Sequence, residues 1–207
     1  MKEVSTSFLK EGNYKEFINK LNNSNTDYIH FDVMDGIFVK GKNLSIKELI
    51  KYINQSTKKN DIHLMVKNPE KYIEQIKTLN INNITIHREI PDYKDIINLI
   101  KSYGIKPGLA INPETEISDI KKDLKDISLV LVMGVHPGKS GQQYLTNTTD
   151  KINKLKEIKE KENLNFKISV DGGINEEILP KLNNTDIIVS ASYVLDNLDN
   201  IEKIHNL

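Results

Sequence analysis

Histidine and aspartate alternate inside two runs of otherwise apolar residues, and this pattern has direct chemical content. In Tyr28-Ile29-His30-Phe31-Asp32-Val33-Met34, residues two apart share one face of an extended strand, which groups His30, Asp32 and Met34. The run Asp61-Ile62-His63-Leu64-Met65-Val66 repeats the arrangement with Asp61, His63 and Met65. Burying imidazole and carboxylate among Ile, Val and Leu is costly unless they are paired or bind a cation. One such histidine alone reads most simply as a hydrogen-bonded core residue. Two of them with a carboxylate between form a nitrogen and oxygen donor set suited to Zn²⁺, Fe²⁺, Mn²⁺ or Co²⁺. Another carboxylate, Asp171, ends the short run Lys167 to Val170 and precedes Gly172-Gly173. Asp32 and Asp171 on opposite sides of a metal suit proton removal beside a carbonyl. One is the base, the metal stabilises the enediolate oxygens, and the other returns a proton to the far face, inverting the stereocentre.

Three further segments offer groups for an anion. Val135-His136-Pro137-Gly138-Lys139-Ser140-Gly141-Gln142 has two glycines whose backbone N–H groups can approach a phosphate, or which let the loop act as a lid. Gly172-Gly173 and Ser190-Ala191-Ser192 follow two later apolar runs. Ser192 in that position also reads as a helix N-cap.

These residues need a scaffold that brings many strand ends to one place. Short β-branched runs alternate with longer amphipathic segments along the whole chain, the pattern of repeated βα units. Strands are predicted at Val4 to Leu9, Tyr28 to Met34, Asp61 to Val66, Ile84 to His87, Lys106 to Ile111, Ser128 to Met133, Lys167 to Val170 and Asp186 to Ser190. Helical periodicity recurs at Ile46 to Ile53, Pro69 to Leu79, Asp92 to Tyr103 and Thr149 to Lys161. An open doubly wound sheet usually carries a G-x-G-x-x-G loop after its first strand, and here Ser5-Thr6-Ser7-Phe8-Leu9 stands there instead. The expected architecture is therefore an α/β fold of the (β/α)₈ TIM-barrel type, a single catalytic domain over 1–207. In such barrels the strand ends and their following loops build the active site, with phosphate held after strands seven and eight.

Composition narrows the partners. Lys plus Arg and Asp plus Glu number 29 each, so no net field favours nucleic acid or an anionic membrane. Cysteine is absent, which removes disulfides, thiolate ligands and thiol nucleophiles. Met1 to Ser5 is not followed by the apolar stretch of an export signal, and no apolar run approaches the length of a membrane span. The expectation is a cytoplasmic protein whose partner is a small molecule.

The ordered motifs closely resemble those of the ribulose-phosphate 3-epimerase family over nearly the whole chain. Asp32-Val33-Met34-Asp35-Gly36 with Phe38-Val39, Asp61 to Val66 with Asn68-Pro69-Glu70, and His87-Arg88-Glu89 are similar to its second, third and fourth strand signatures. Asn112-Pro113-Glu114-Thr115, Met133 to Gln142 and Val170 to Gly173 continue the match. The resemblance implies a metal held by His30, Asp32, His63 and Asp171, with Asp32 and Asp171 also the proton acceptor and donor. It implies substrate contacts from Ser7, His63, Met34, Met65 and Met133, and phosphate contacts from Gly138, Lys139, Ser140, Gly141, Gly172, Gly173, Ala191 and Ser192. A ribulose-phosphate-binding barrel of this kind interconverts D-ribulose 5-phosphate and D-xylulose 5-phosphate through an enediolate, in the pentose phosphate pathway, and the family implies a homo-oligomer.

Several positions depart from the family pattern. Gly138-Lys139-Ser140-Gly141 replaces Gly-Phe-Gly-Gly, Ala191 replaces a glycine, Lys40 replaces a proline, and His136 replaces Asn, Glu or Asp. No proposed ligand or acid/base residue is changed, so the departures bear on substrate and rate. Two alternatives stay open at this level: a D-allulose 6-phosphate 3-epimerase, and a non-catalytic sugar-phosphate-binding barrel.

Overall fold

The computed structural model describes residues 1–7, 14–139 and 141–207. Eight parallel strands, β1 Glu3–Ser7, β2 Tyr28–Met34, β3 Lys59–Met65, β4 Asn83–His87, β5 Lys106–Ile111, β6 Leu129–Met133, β7 Lys167–Asp171 and β8 Ile187–Ser190, close into one barrel in chain order. β1 seals it by pairing with both β2 and β8. The architecture is the expected TIM barrel. Phe8 and Leu9, placed in the first strand from sequence, lie outside the described residues. Elsewhere the limits differ modestly: β3 begins two residues earlier than Asp61 and stops at Met65, and β7 takes in Asp171.

Seven α-helices are described: α1 Tyr14–Asn22, α2 Ile46–Ile53, α3 Pro69–Ile76, α4 Tyr93–Ser102, α5 Asn147–Lys161, α6 Ser192–Asp196 and α7 Asn200–His205. Local chemistry sets several of their starts. Ser45 and Glu48 form a reciprocal capping box at α2, and Pro69 occupies the first turn of α3, where its missing N–H costs nothing. Ser192 opens α6 as its first helical residue; Ala191 takes the cap position and no side chain caps this helix, correcting the N-cap reading.

Two crossovers depart from the regular repeat. Between β5 and β6 stand two 3₁₀ turns, Ile117–Asp119 and Lys121–Asp123, and between β7 and β8 a single one, Leu179–Lys181. Three residues per turn still bring Ile117 and Ile120 to one side, and both are buried. In the second crossover Pro180 lacks the N–H that a helix interior needs.

Strand alternation divides the buried residues into two cores. Outward-facing Val4, Ile29, Phe31, Val33, Ile62, Leu64, Val130 and Ile168 pack beneath the helices. The barrel interior is split: β1–β4 contribute Ser5, Ser7, His30, Asp32, Asp61, His63, Asn83, Thr85 and His87, all buried. β5–β8 contribute mainly apolar groups, with Ala110, Leu131, Met133 and Val189 forming one cluster. Register aligns Asp32, His63, Thr85 and Gly108 on successive strands.

Gly108 is needed for that alignment. A Cβ there would overlap Thr85 Oγ1 and stand 3.2 Å from Thr85 Cα. Gly108→Ala is expected to destabilise the barrel by about 1–3 kcal/mol in chemical denaturation, the usual range for overpacking. Adding Thr85→Ala should recover part of the loss; full stability of the single variant would show that the wall yields there.

Candidate active site

At the C-terminal mouth of the barrel, one ligand atom from each of His30, Asp32, His63 and Asp171 lies within 4.8 Å of the others. β2 supplies two of these residues, β3 and β7 one each. The residues nominated from alternation are thus brought together with the carboxylate nominated from its strand end.

Their hydrogen bonds are directed. His30 Nδ1 is 2.7 Å from Asp61 Oδ2, and Asp61 also accepts from Ser5 Oγ and the Asn83 amide. This leaves His30 Nε2 buried, 3.4 Å from Asp32 Oδ1, with no hydrogen-bond partner among the described residues. A histidine whose far nitrogen is engaged by a carboxylate while the near one faces other donors without a partner is arranged as a metal ligand. Ser7 Oγ donates to Asp32 Oδ2 at 2.7 Å, and His63 Nδ1 lies 3.1 Å from Asp32 Oδ1 and 3.8 Å from Asp171 Oδ2. Two imidazoles and two carboxylates fit a divalent ion of borderline character, so the cluster can hold a metal.

Without a cation, protons must balance these charges. Burial opposes ionisation of Asp32, but the charge of His30 beside it holds its pKa well below the ordinary carboxylate range. Burial would lower His30, but the charges of Asp61 and Asp32 raise it well above the usual imidazole value. Asp171 is pushed up to about 7, first by burial and then by the Asp32 charge. A metal must displace protons from His30 and Asp171, so its apparent affinity should climb as pH rises through about 7. Zinc titration calorimetry in buffers of different ionisation enthalpy counts those protons; an affinity independent of pH would contradict the assignment.

Above the cluster opens a cavity of about 340 Å³. Ser7, Asp32, Met65, Met133, Gly138, Lys139, Gly141, Asp171, Gly172, Gly173, Ala191 and Ser192 line it, with His136 and Gln142 at the β6 loop. Ser140 lies outside the described residues. Met34 is not among the lining residues; it packs with Val39 and Met65 under Phe38. Gly172 and Gly173 have φ of 104° and 72°, and a Cβ on either would collide, with Val135 or with the Tyr144 backbone. His136 pairs with Glu114 at 2.7 Å.

Asp61, His87 and Glu89 also belong to this hydrogen-bonded assembly, although the sequence reading gave them no role. Asp61 stands two residues before His63 on the inward face, the same signal that singled out His63. Asp61→Asn would replace a charged acceptor by an amide against His30 Nδ1, and zinc affinity should fall roughly ten- to a hundredfold. Chelator competition measures this, and unchanged affinity would remove Asp61 from the site's support.

Similar proteins give the family. The sequence matches the ribulose-phosphate 3 epimerase family over residues 3–195. The ribulose-phosphate 3-epimerase of Helicobacter pylori strain J99 is 36% identical over 190 residues, covering 89% of this chain and 88% of that protein. That of Methanocaldococcus jannaschii is 36% identical over 200 residues, 95% of this chain and 84% of the relative, and that of Bacillus subtilis 33% over 210, 99% and 94%. Among solved structures, tryptophan synthase subunit alpha from Campylobacter jejuni aligns with a TM-score of 0.66 at 18% identity, over 98% of this chain and 93% of that one. Phosphoribosyl anthranilate isomerase from Thermococcus kodakaraensis gives 0.66 at 13%, over 100% and 98%. At such identities the structural likeness speaks for the barrel alone. Fold, site and relatives together define an isomerase-class barrel enzyme with a metal-capable mouth. The chain belongs to the ribulose-phosphate 3-epimerase family.

Proposed function

We propose that this protein interconverts D-ribulose 5-phosphate and D-xylulose 5-phosphate by two-base proton transfer at C3. The observation that carries the reading is the convergence of Asp32 and Asp171, from β2 and β7 and both lining the cavity, on one cluster with His30 and His63, which lie outside the lining. A divalent ion on these four ligands, Zn²⁺, Fe²⁺, Mn²⁺ or Co²⁺, would polarise the ketone and stabilise charge on the enediolate oxygens.

Asp32 takes the C3 proton from one face of the sugar and Asp171 delivers a proton to the other; the reverse reaction exchanges their parts. Ser7 orients Asp32 through the hydrogen bond to Oδ2. His30 and His63 hold the ion and move no proton of the substrate. Met65 and Met133 supply apolar wall that keeps water from the intermediate. The phosphate is assigned to the backbone around Gly138, Gly141, Gly172, Gly173, Ala191 and Ser192, with Lys139 at the cavity edge. All four glycines have positive φ, a backbone conformation that can turn successive main-chain N–H groups toward an anion.

Metal-loaded protein should form xylulose 5-phosphate in a coupled assay, with a higher kcat/KM for the pentulose than for the hexulose phosphate. No product beside an active reference epimerase would refute the substrate assignment, and a reversed ratio would favour the hexulose. Asp171→Asn should lose roughly 10²- to 10⁴-fold in epimerisation while Asp32 still exchanges C3 hydrogen of one epimer with deuterated solvent. Substantial epimerisation by that variant would overturn the two-base assignment.

A further inference from the structure

Resting on the metal reading above, the geometry points to Glu89 as a positioning residue: through His87 it sets which nitrogen of His63 carries the proton, and so keeps the Nδ1 lone pair of His63 free for the ion.

One shared proton links His63 to His87. His63 Nε2 lies 2.9 Å from His87 Nε2. The ring centres are 5.0 Å apart, so the two nitrogens meet head-on rather than as a face-to-face stack. Between two neutral imidazoles such a contact holds a single hydrogen. His87 Nδ1 is in turn 3.2 Å from Glu89 Oε2. A carboxylate there accepts a hydrogen bond, so the proton of His87 sits on Nδ1 and its Nε2 is bare. His63 must then donate from Nε2; once an ion takes the Asp32 and Asp171 oxygens that lie 3.1 and 3.8 Å from His63 Nδ1, that nitrogen has no acceptor left and stays unprotonated toward the ion. The opposite arrangement would set the Nδ1 lone pair of His87 against the Glu89 carboxylate and place a proton on the ligating nitrogen of His63.

Glu89 is itself held in place from outside the barrel. Its Oε1 accepts from the Asn112 N–H at 3.0 Å and from the Thr115 hydroxyl. Lys151 on α5 pins that loop by donating to the carbonyls of Asn112, Pro113 and Thr115 at 3.2, 2.5 and 2.7 Å. Burial opposes its ionisation, yet hydrogen bonds from His87, Thr115 and Asn112 bring the Glu89 carboxyl down to about 2.

Glu89→Gln tests the relay, because an amide offers one oxygen where donors approach from both ends. In long-range ¹H–¹⁵N spectra of the zinc-loaded wild type, His63 should carry its proton on Nε2 and His87 on Nδ1, with the His87 pattern already present in the metal-free protein. Glu89→Gln should disturb both patterns and weaken zinc binding roughly ten- to a hundredfold by chelator competition. In a His87→Gln background the new amide can turn its oxygen to His63 unaided, so adding Glu89→Gln should cost less than about twofold. A merely structural Glu89 would cost the same in both backgrounds, and that result overturns the proposal. So does a wild-type His63 protonated on Nδ1, or a Glu89→Gln variant matching a tightly binding wild type in affinity and tautomers. Wild type that binds no zinc at these ligands brings down the metal reading and, with it, the ligand half of this one. Should Glu89→Gln fail to fold, Thr115→Val keeps the charge but removes one anchor; zinc affinity should fall severalfold, and no change would count against the relay.

Discussion

Two imidazoles and two carboxylates share a few ångströms of barrel interior, and the cost of taking them from water governs what surrounds them. Three have a dedicated partner reaching in from a neighbouring strand. Asp61 engages His30, Ser7 engages Asp32, and His87 engages His63. Each partner fixes a hydrogen-bonding direction as well as offsetting desolvation, so the remaining lone pairs are turned toward one point. Asp171, at the end of β7, lies 3.8 Å from His63 and carries the raised pKa expected of the carboxylate with the least support.

This requirement explains why the barrel is lopsided. Residues that hydrogen-bond sideways occupy β1–β4, and Gly108 on β5 gives Thr85 the room it needs beside them. The opposite wall of Ala110, Leu131, Met133 and Val189 has no polar demands and fills space. Function then collects where the two halves meet, beneath the loops after β6, β7 and β8 that border the cavity. The 112–115 segment after β5 serves the polar half from a distance: Lys151 clamps it on one side while Glu89 reads it on the other.

Much of this was visible in the sequence because the signal is local. Alternation within a strand is a two-residue rule, so His30-x-Asp32 and Asp61-x-His63 announce an inward polar face without knowledge of the partner strands. Asp171 was identifiable by its place at the end of an apolar run. Pairing between strands is different. That Asp61 serves His30, and that His87 meets His63 through Nε2, depends on register and barrel tilt, which no spacing within one strand encodes. Met34 shared the inward parity of Asp32 yet packs under Phe38 and Val39, because the chain folds back over it after β2. The crossovers after β5 and β7 lie outside the four helical patterns read from sequence and hold only 3₁₀ turns, and Pro180 lacks the N–H that a longer helix would need there.

The central claim is that His30, Asp32, His63 and Asp171 form one metal centre. Diffraction from zinc-loaded crystals at wavelengths on either side of the zinc absorption edge tests it most directly. A single strong anomalous peak within bonding distance of His30 Nε2, His63 Nδ1 and a carboxylate oxygen of both Asp32 and Asp171 is the expected result. A peak elsewhere, or one that leaves either aspartate uncoordinated, would contradict it.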